Sequence, residues 1–259
     1  MDFLAYRALP GLNWSMLKHL VLGSPLHYRH ALDSPDDNTT GRLIGRAVHA
    51  LVLEGREDFA VWDGDRRGKA WQEYRDAHAG VDILRATEAA TVRAMAEAVL
   101  RHPHAVAALE GQREVSLTWE RGGRACKGRL DCLTADGVTD LKSTGPLRMA
   151  ARTAWASGYV HQLAWYRYGA DVDGAYIVGV EAKAPHDVGV WEIDPVALSV
   201  ADRQIDEALE VLARCEASGV WPGVMPDVEE MTMPAWADPA SGMEEMEIGD
   251  MGDFGGEDV

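Results

Sequence analysis

Asp131, Asp140 and Lys142 stand close together in one strand-turn-strand stretch, Lys127 to Lys142, and are the residues of this chain best suited to chemistry on a phosphodiester. Cleaving that bond calls for acids that hold a divalent cation and an amine that offsets charge growing on the phosphate. Two short runs, Gly128 to Leu133 and Val138 to Leu141, flank Asp136-Gly137, a dipeptide that favours a type I′ turn with positive φ at both central positions. Counting outward from that turn sets Leu133 against Asp140 and Asp131 against Lys142. Alternation then predicts one face with Asp131, Leu133, Asp140 and Lys142, and another with Leu130, Cys132 and Leu141. Asp131 and Asp140 become diagonal neighbours, roughly 7–8 Å apart at the backbone, so that both carboxylates can converge on one ion. Oxygen ligation suits Mg²⁺, with Mn²⁺ as the alternative.

The preceding segment, Glu114 to Trp119, alternates polar and apolar residues. A two-residue turn at Gly122-Gly123 brings Glu114 opposite Asp131 and onto the acidic face, whereas a slip of one residue sends it to the other side. Taken alone, Asp-Leu-Lys also fits a surface ion pair on a sheet, a contact worth about 0–1 kcal/mol.

The elements that must position these residues are mixed α and β. Helices are predicted from Asn13 to Leu22, Leu43 to Leu53, Thr87 to Arg101, Gly158 to Tyr168 and Pro195 to Ser218. Strands are predicted at Glu114–Trp119, Ala125–Thr134, Val138–Lys142, Ala175–Lys183 and Val188–Ile193. His49 lies on the second helix among Val48, Leu51, Val52 and Leu53, a setting that by itself fits a core histidine. Gly45 sits one turn earlier on the same face, where a missing side chain allows close approach. Glu54, five residues on, points elsewhere and reads as structural. Gln162 and Tyr166 share a helix face, either as the polar edge of an amphipathic helix or as groove residues.

The motifs together resemble the PD-(D/E)xK, restriction-endonuclease-like nucleases. Asp131 with Asp140-Leu141-Lys142 matches the signature pair of strands, Gly45-x-x-x-His49 resembles the helix before the sheet in RecB-like nucleases, and Gln162-x-x-x-Tyr166 resembles the helix after it. Asn13-Trp-Ser-Met-Leu-Lys, Val48-His49-Ala-Leu-Val-Leu-Glu54 and Trp221-Pro222-Gly223 are similar to the RecE-type, exonuclease VIII-like branch of phages and prophages. No Pro-Asp dipeptide precedes the hairpin; Leu130-Asp131 stands there instead. The resemblance implies an α/β restriction-endonuclease-like core, a central mixed β-sheet flanked by helices. It implies that His49, Asp131, Asp140, the Leu141 carbonyl and Glu114 serve as metal ligands. Lys142 would orient the attacking water, while Gln162 and Tyr166 contact DNA or position Lys142. The activity implied is a Mg²⁺-dependent 5′-to-3′ exonuclease that resects linear double-stranded DNA for recombination by single-strand annealing. A RecT-like annealing protein and a toroidal homo-oligomer are the partners implied. Alternatives on the same fold are a structure-specific or single-strand nuclease and a catalytically silent DNA-binding scaffold.

A formal net charge of −17 runs against nucleic-acid binding at first sight. Eleven of the 42 acidic residues lie between Pro226 and Val259, which has no Lys or Arg, leaving 31 acids against 25 bases. A DNA footprint on that acidic body must be local and assisted by cations; Arg42, Arg46, Lys127, Arg129 and Arg148 lie nearest the proposed site in sequence. Residues 1–237 are expected to form one nuclease domain, and 238–259 an acidic, Gly-rich, disordered tail that is either solubilising or a mimic of polyanion. No run of 18 or more apolar residues occurs, so a soluble, cytoplasmic protein without membrane contact is expected. RecB-like relatives with an iron–sulfur cluster use four cysteines. This chain has three, Cys126, Cys132 and Cys215, two of them inside the core, so no iron–sulfur cluster and reduced thiols are expected.

Overall fold

The computed structural model describes residues 3–34 and 39–233; the tail expected at 238–259 lies outside them. Residues 1–224 form one unit and 225–259 a second, whose described part, 225–233, holds no helix or strand. All that follows concerns the first. In chain order its elements are α1 (Phe3–Ala8), α2 (Trp14–Val21), α3 (Pro25–Asp33), α4 (Thr40–Glu54), β1 (Phe59–Val61), α5 (Gly68–Ala77), β2 (Asp82–Leu84), α6 (Ala86–Arg101), α7 (Pro103–Ala108), β3 (Gln112–Arg121), β4 (Arg124–Leu133), β5 (Gly137–Thr144), α8 (Ala150–Ala156), α9 (Tyr159–Ala170), β6 (Gly174–Glu181), β7 (Val188–Glu192) and α10 (Pro195–Ser218).

The helix ends follow local chemistry. Asn13 Oδ1 accepts the Met16 N–H at 3.0 Å and starts α2. Asp194 caps α10, Pro195 fills its first turn, where the lost N–H has no partner to miss, and Gly219 ends it at φ 72°. The five long strands pair in the order β3-β4-β5-β6-β7, with β5 and β6 parallel and the other pairs antiparallel. Helices cover both faces. α2, α9 and α10 bury Leu17, Leu163, Trp165, Ile205 and Leu212 against one, and α4 and α6 bury Val48, Val92, Met95 and Val99 against the other.

The β3–β4 hairpin has the expected register: Gly122 and Gly123 turn at φ 59° and 69°, and every pair from Arg121–Arg124 to Gln112–Leu133 fits it. The pair Glu114/Asp131 is missing from that ladder because Glu114 adopts φ 55°, a left-handed conformation rare outside glycine. The alternation breaks there. Leu130 joins the α9 and α10 core, while Cys132 joins the α4 and α6 core with Leu141, which corrects the expectation that Leu130 and Cys132 share a face.

The β4–β5 connection also differs from expectation. Neither Asp136 nor Gly137 has positive φ, and the paired residues are Leu133–Val138 and Cys132–Thr139, two positions away from the predicted register. Thr134 is the reason: its Oγ1 accepts the N–H groups of Asp136 (3.3 Å) and Gly137 (3.1 Å) and builds a wider turn. A shift of two keeps Asp140 and Lys142 on their predicted face and places Asp140 at the position facing Asp131. The short elements between α4 and α6, the parallel pair β1–β2 and α5, had no sequence signal, since strands of three residues show no period.

Lys127 is a structural residue, against its assignment as a phosphate contact. It is 6% exposed, and its Nζ donates to the carbonyls of Tyr6 (3.4 Å), Arg7 (3.2 Å) and Leu9 (2.5 Å) at the end of α1. Lys127→Ala leaves those acceptors without their donor, and the expected loss in urea unfolding is about 2 kcal/mol, with faster amide exchange in residues 3–12; unchanged stability would show that water replaces the ammonium at no cost.

Candidate active site

The disrupted ladder at Glu114 and Asp131 is where the polar residues collect. Asp131 Oδ2 accepts the Leu141 N–H at 2.8 Å, a side chain standing where a strand's backbone would otherwise stand. His49, from α4, reaches the other side of the same residue: its Nε2 lies 2.6 Å from the Leu141 carbonyl oxygen and its Nδ1 3.4 Å from Asp131 Oδ2. Gly45 lets the helix come this close, since a Cβ there would stand 3.3 Å from Ser143 Oγ on β5. Glu114 completes the group, and ligand atoms of His49, Glu114 and Asp131 lie within 4.8 Å of one another. Arg129 fixes Glu114, donating from Nε to Oε2 at 2.5 Å and from Nη1 to Ser116 Oγ at 3.2 Å.

Asp140 and Lys142 lie beside this triad rather than in it. Asp140 is buried and forms an ion pair with Lys142, whose Nζ also stands 4.9 Å from the centre of the Tyr159 ring. Tyr159 escaped the sequence analysis although it precedes Gln162 by three positions on α9, and helical spacing from Gln162 was the signal available. Gln162 Nε2 donates to the Tyr166 hydroxyl at 3.1 Å. The Tyr166 ring lies on β4, where a Cβ at Gly128 would come within 2.9 Å of it. Gln162 and Tyr166 thus share a face, while the contact with Lys142 is made by Tyr159.

Burial and charge act against each other here. Burial raises the Asp140 carboxyl, the nearby Lys142 charge only partly offsets this, and its pKa is pushed up to about 6. Burial works to raise Asp131 too, but the charge and hydrogen bond of His49, with Lys142 and the Leu141 N–H, outweigh it and hold Asp131 below the usual range. For His49 burial favours the neutral ring, yet Asp131 and Asp140 reverse this and raise its pKa. Lys142 follows the same pattern: burial disfavours the ammonium, and the two aspartates more than restore it. Glu114 is raised by burial despite Arg129. Three acids and three basic groups, His49, Lys142 and Arg129, thus share the site, and burial is the largest influence on the two raised acids. An imidazole, carboxylates and a strand carbonyl are a donor set that fits a divalent cation.

The basic residues do not gather as one cluster. Arg46 pairs with Asp82 through contacts of 2.8–3.0 Å, Arg129 holds Glu114, Lys127 is buried at α1, and Arg148 is exposed on the turn that follows β5. Glu54 pairs with Arg56, in keeping with a structural role. Cys126, Cys132 and Cys215 are buried thiols. No helix among the described residues is long and apolar enough to cross a membrane.

One solved structure agrees with this architecture. The crystal structure of a candidate exonuclease from Eubacterium rectale is similar with a TM-score of 0.63 at 14% identity, over 86% of this chain and 91% of that one. A phage-related exonuclease from Haemophilus somnus 129PT aligns over 83% of this chain and 100% of its own, with 14% identity and a TM-score of 0.38. No curated protein matches the chain. The model of the PDDEXK-like domain of unknown function, DUF3799, matches residues 14–231. With that match spanning the sheet, His49, the Asp131 to Lys142 hairpin and α9, the chain belongs to the DUF3799 family of PDDEXK-like domains.

Proposed function

We propose that this protein is a Mg²⁺-dependent exodeoxyribonuclease that degrades linear double-stranded DNA from 5′ to 3′ and passes the exposed strand to a RecT-like annealing partner. The observation that carries the reading is the convergence of His49 and Asp131 on the Leu141 peptide with Glu114 beside them, and Lys142 as the next residue on the same strand. The direction and the recombination role rest on resemblance to RecE-type nucleases. Toroidal assembly rests on the same ground.

His49, Glu114, Asp131 and the Leu141 carbonyl are the residues that would hold the divalent ion, and Asp140, paired with Lys142 beside them, would join them by turning toward it. When bound there, the ion polarises a phosphate and lowers the pKa of water beside it. The chain's own residues do the rest. Asp131 is held by the Leu141 N–H and Glu114 by Arg129, so neither carboxylate must reorganise during turnover. The Lys142 ammonium, fixed between Asp140 and the Tyr159 ring, stands ready to orient water and to offset charge gathering on the phosphate oxygens. Gln162 and the Tyr166 hydroxyl form one polar unit that can donate to the DNA backbone.

Protons compete with the ion. Asp140, at about 6, and His49, also raised, hold their protons more tightly than free side chains do, so metal affinity is full above those values and is lost as pH falls through them. Mn²⁺ affinity measured by calorimetry is expected to weaken about tenfold or more between about pH 8 and about pH 5. An affinity that did not change would remove Asp140 and His49 from the ligand set.

The activity itself is tested by digesting linear duplex labelled at the 5′ or the 3′ end, beside a closed circle, in Mg²⁺ or EDTA. Early release of the 5′ label from linear DNA alone, abolished in EDTA and reduced by about 10³-fold in Lys142→Ala, is the expected result. Cutting of the circle would make the enzyme an endonuclease, and binding without cutting would make it a scaffold.

A further inference from the structure

A cavity of about 250 Å³ opens beside Lys142, between the sheet face of β5–β7 and helices α8 and α9. Its walls are mainly apolar and aromatic: Trp155, Tyr159, Ile177 and Trp191 line it together with the stem of Lys142. The Trp191 ring lies across two glycines that face each other in the β6–β7 register, Gly179 and Gly189. A Cβ at either would stand 2.8 Å or 2.4 Å from that ring, so the glycines are what allow the indole to lie flat against the sheet. Trp155 is 38% exposed, and its ring packs at 5.1 Å on the buried His161, which is itself stacked at 5.8 Å on Trp14. The aromatic wall is therefore supported from behind before anything enters.

We propose that this cavity receives one unstacked base of the DNA strand being cut, that of the nucleotide adjoining the scissile phosphate. The proposal rests on the nuclease reading above and names where that nuclease puts its substrate. Three observations select a base. Lys142 borders both the acidic site and the cavity, so whatever fills the cavity is within one nucleotide of the phosphate at the site. Glu192 and Asp194 are also in the lining and would repel a second phosphate, leaving the uncharged heterocycle as the part of a nucleotide that fits. The volume lies just below the ~300–1,000 Å³ of sites that enclose drug-sized ligands, which suits a single ring system and excludes paired bases. Thr144, Thr153 and Tyr159 are the hydroxyl-bearing residues of a lining that is otherwise mostly apolar, so the cavity reads a π-face rather than a sequence. A base at a frayed or unpaired end is the cheapest to deliver, because it has the least stacking and pairing to lose.

The test compares two linear duplexes, identical except that one carries a tetrahydrofuran abasic residue at the terminal nucleotide of the attacked strand. Affinity is measured in Ca²⁺ and the cleavage rate in Mg²⁺, for the unaltered protein, Trp155→Ala and Ala151→Trp, with unfolding curves recorded for each variant. Trp155 is partly exposed and Ala151 is exposed on α8, so both variants are expected to fold; the first removes a stacking wall and the second plugs the cavity. The unaltered protein is expected to prefer the intact end about tenfold in binding or rate, and both variants to lose the preference. Equal handling of the two duplexes by the unaltered protein overturns the proposal while leaving the nuclease intact. A preference kept by both folded variants overturns it as well, since the base would then be held elsewhere. Failure to bind or cut either duplex overturns the nuclease reading itself, and the cavity proposal with it.

Discussion

One hydrogen bond organises the site: the Leu141 N–H donated to Asp131 Oδ2. Two antiparallel neighbours would normally close their ladder backbone to backbone, leaving a flat sheet with no room for an ion between its strands. Here the β4–β5 ladder ends at Cys132–Thr139, and a carboxylate takes over as acceptor. That substitution turns the Leu141 peptide into the centre of the site, with its N–H held by Asp131 and its carbonyl facing His49. On the other edge of β4 the same residue pair breaks the β3 ladder through the left-handed Glu114. A conformation of this kind costs on the order of 1–3 kcal/mol and persists only where the surroundings impose it. Arg129, bonded to both Glu114 and Ser116, is the constraint that imposes it.

The electrostatics follow from that geometry. Three acids are drawn into one half-buried place, and the fold answers with His49, Lys142 and Arg129. Asp140 and Lys142 are the extreme case, a pair whose side chains are 2% and 17% exposed. Taking such charges out of water is costly, and a buried pair seldom returns more than it costs. An apolar pair would serve stability as well, so the retained ions are better explained by chemistry than by folding. The His49–Asp131 contact fits the same explanation, because both side chains can turn their donor atoms to a dication.

How much of this was legible in the sequence depended on whether a single residue type dictated the backbone. Gly122-Gly123 needs positive φ twice, and the whole β3–β4 register followed from it. Asp194, Pro195 and Gly219 mark both ends of α10 for the same reason. The Asp136-Gly137 turn misled, because the Thr134 hydroxyl two residues earlier offered the backbone N–H groups a better partner. The error was harmless to the site since sheet faces repeat every two residues, and a slip of one would have destroyed the reading. Tertiary contacts were illegible in principle: nothing local announces that Lys127 closes α1, or that Tyr159 rather than Gln162 touches Lys142. The break in alternation at Asp131 was hidden as well, because it follows from one left-handed glutamate on a neighbouring strand.

The acidity of the chain constrains how such a site can meet DNA. Many of its arginines are already committed, Arg46 to Asp82, Arg93 to Glu57, Arg121 to Asp202 and Asp206, Arg124 to Glu216 and Arg167 to Asp202. A phosphate approaching His49, Glu114 and Asp131 would meet two carboxylates until a dication screened them. Metal and DNA would therefore each improve the other's binding, and linkage requires the two improvements to be equal. Such coupling limits non-specific attachment, because few phosphates are neutralised by the protein alone and few counterions are released. Affinity would then be concentrated at the one phosphate that reaches the ion, and an apolar cavity next to it adds hold on the strand without adding charge.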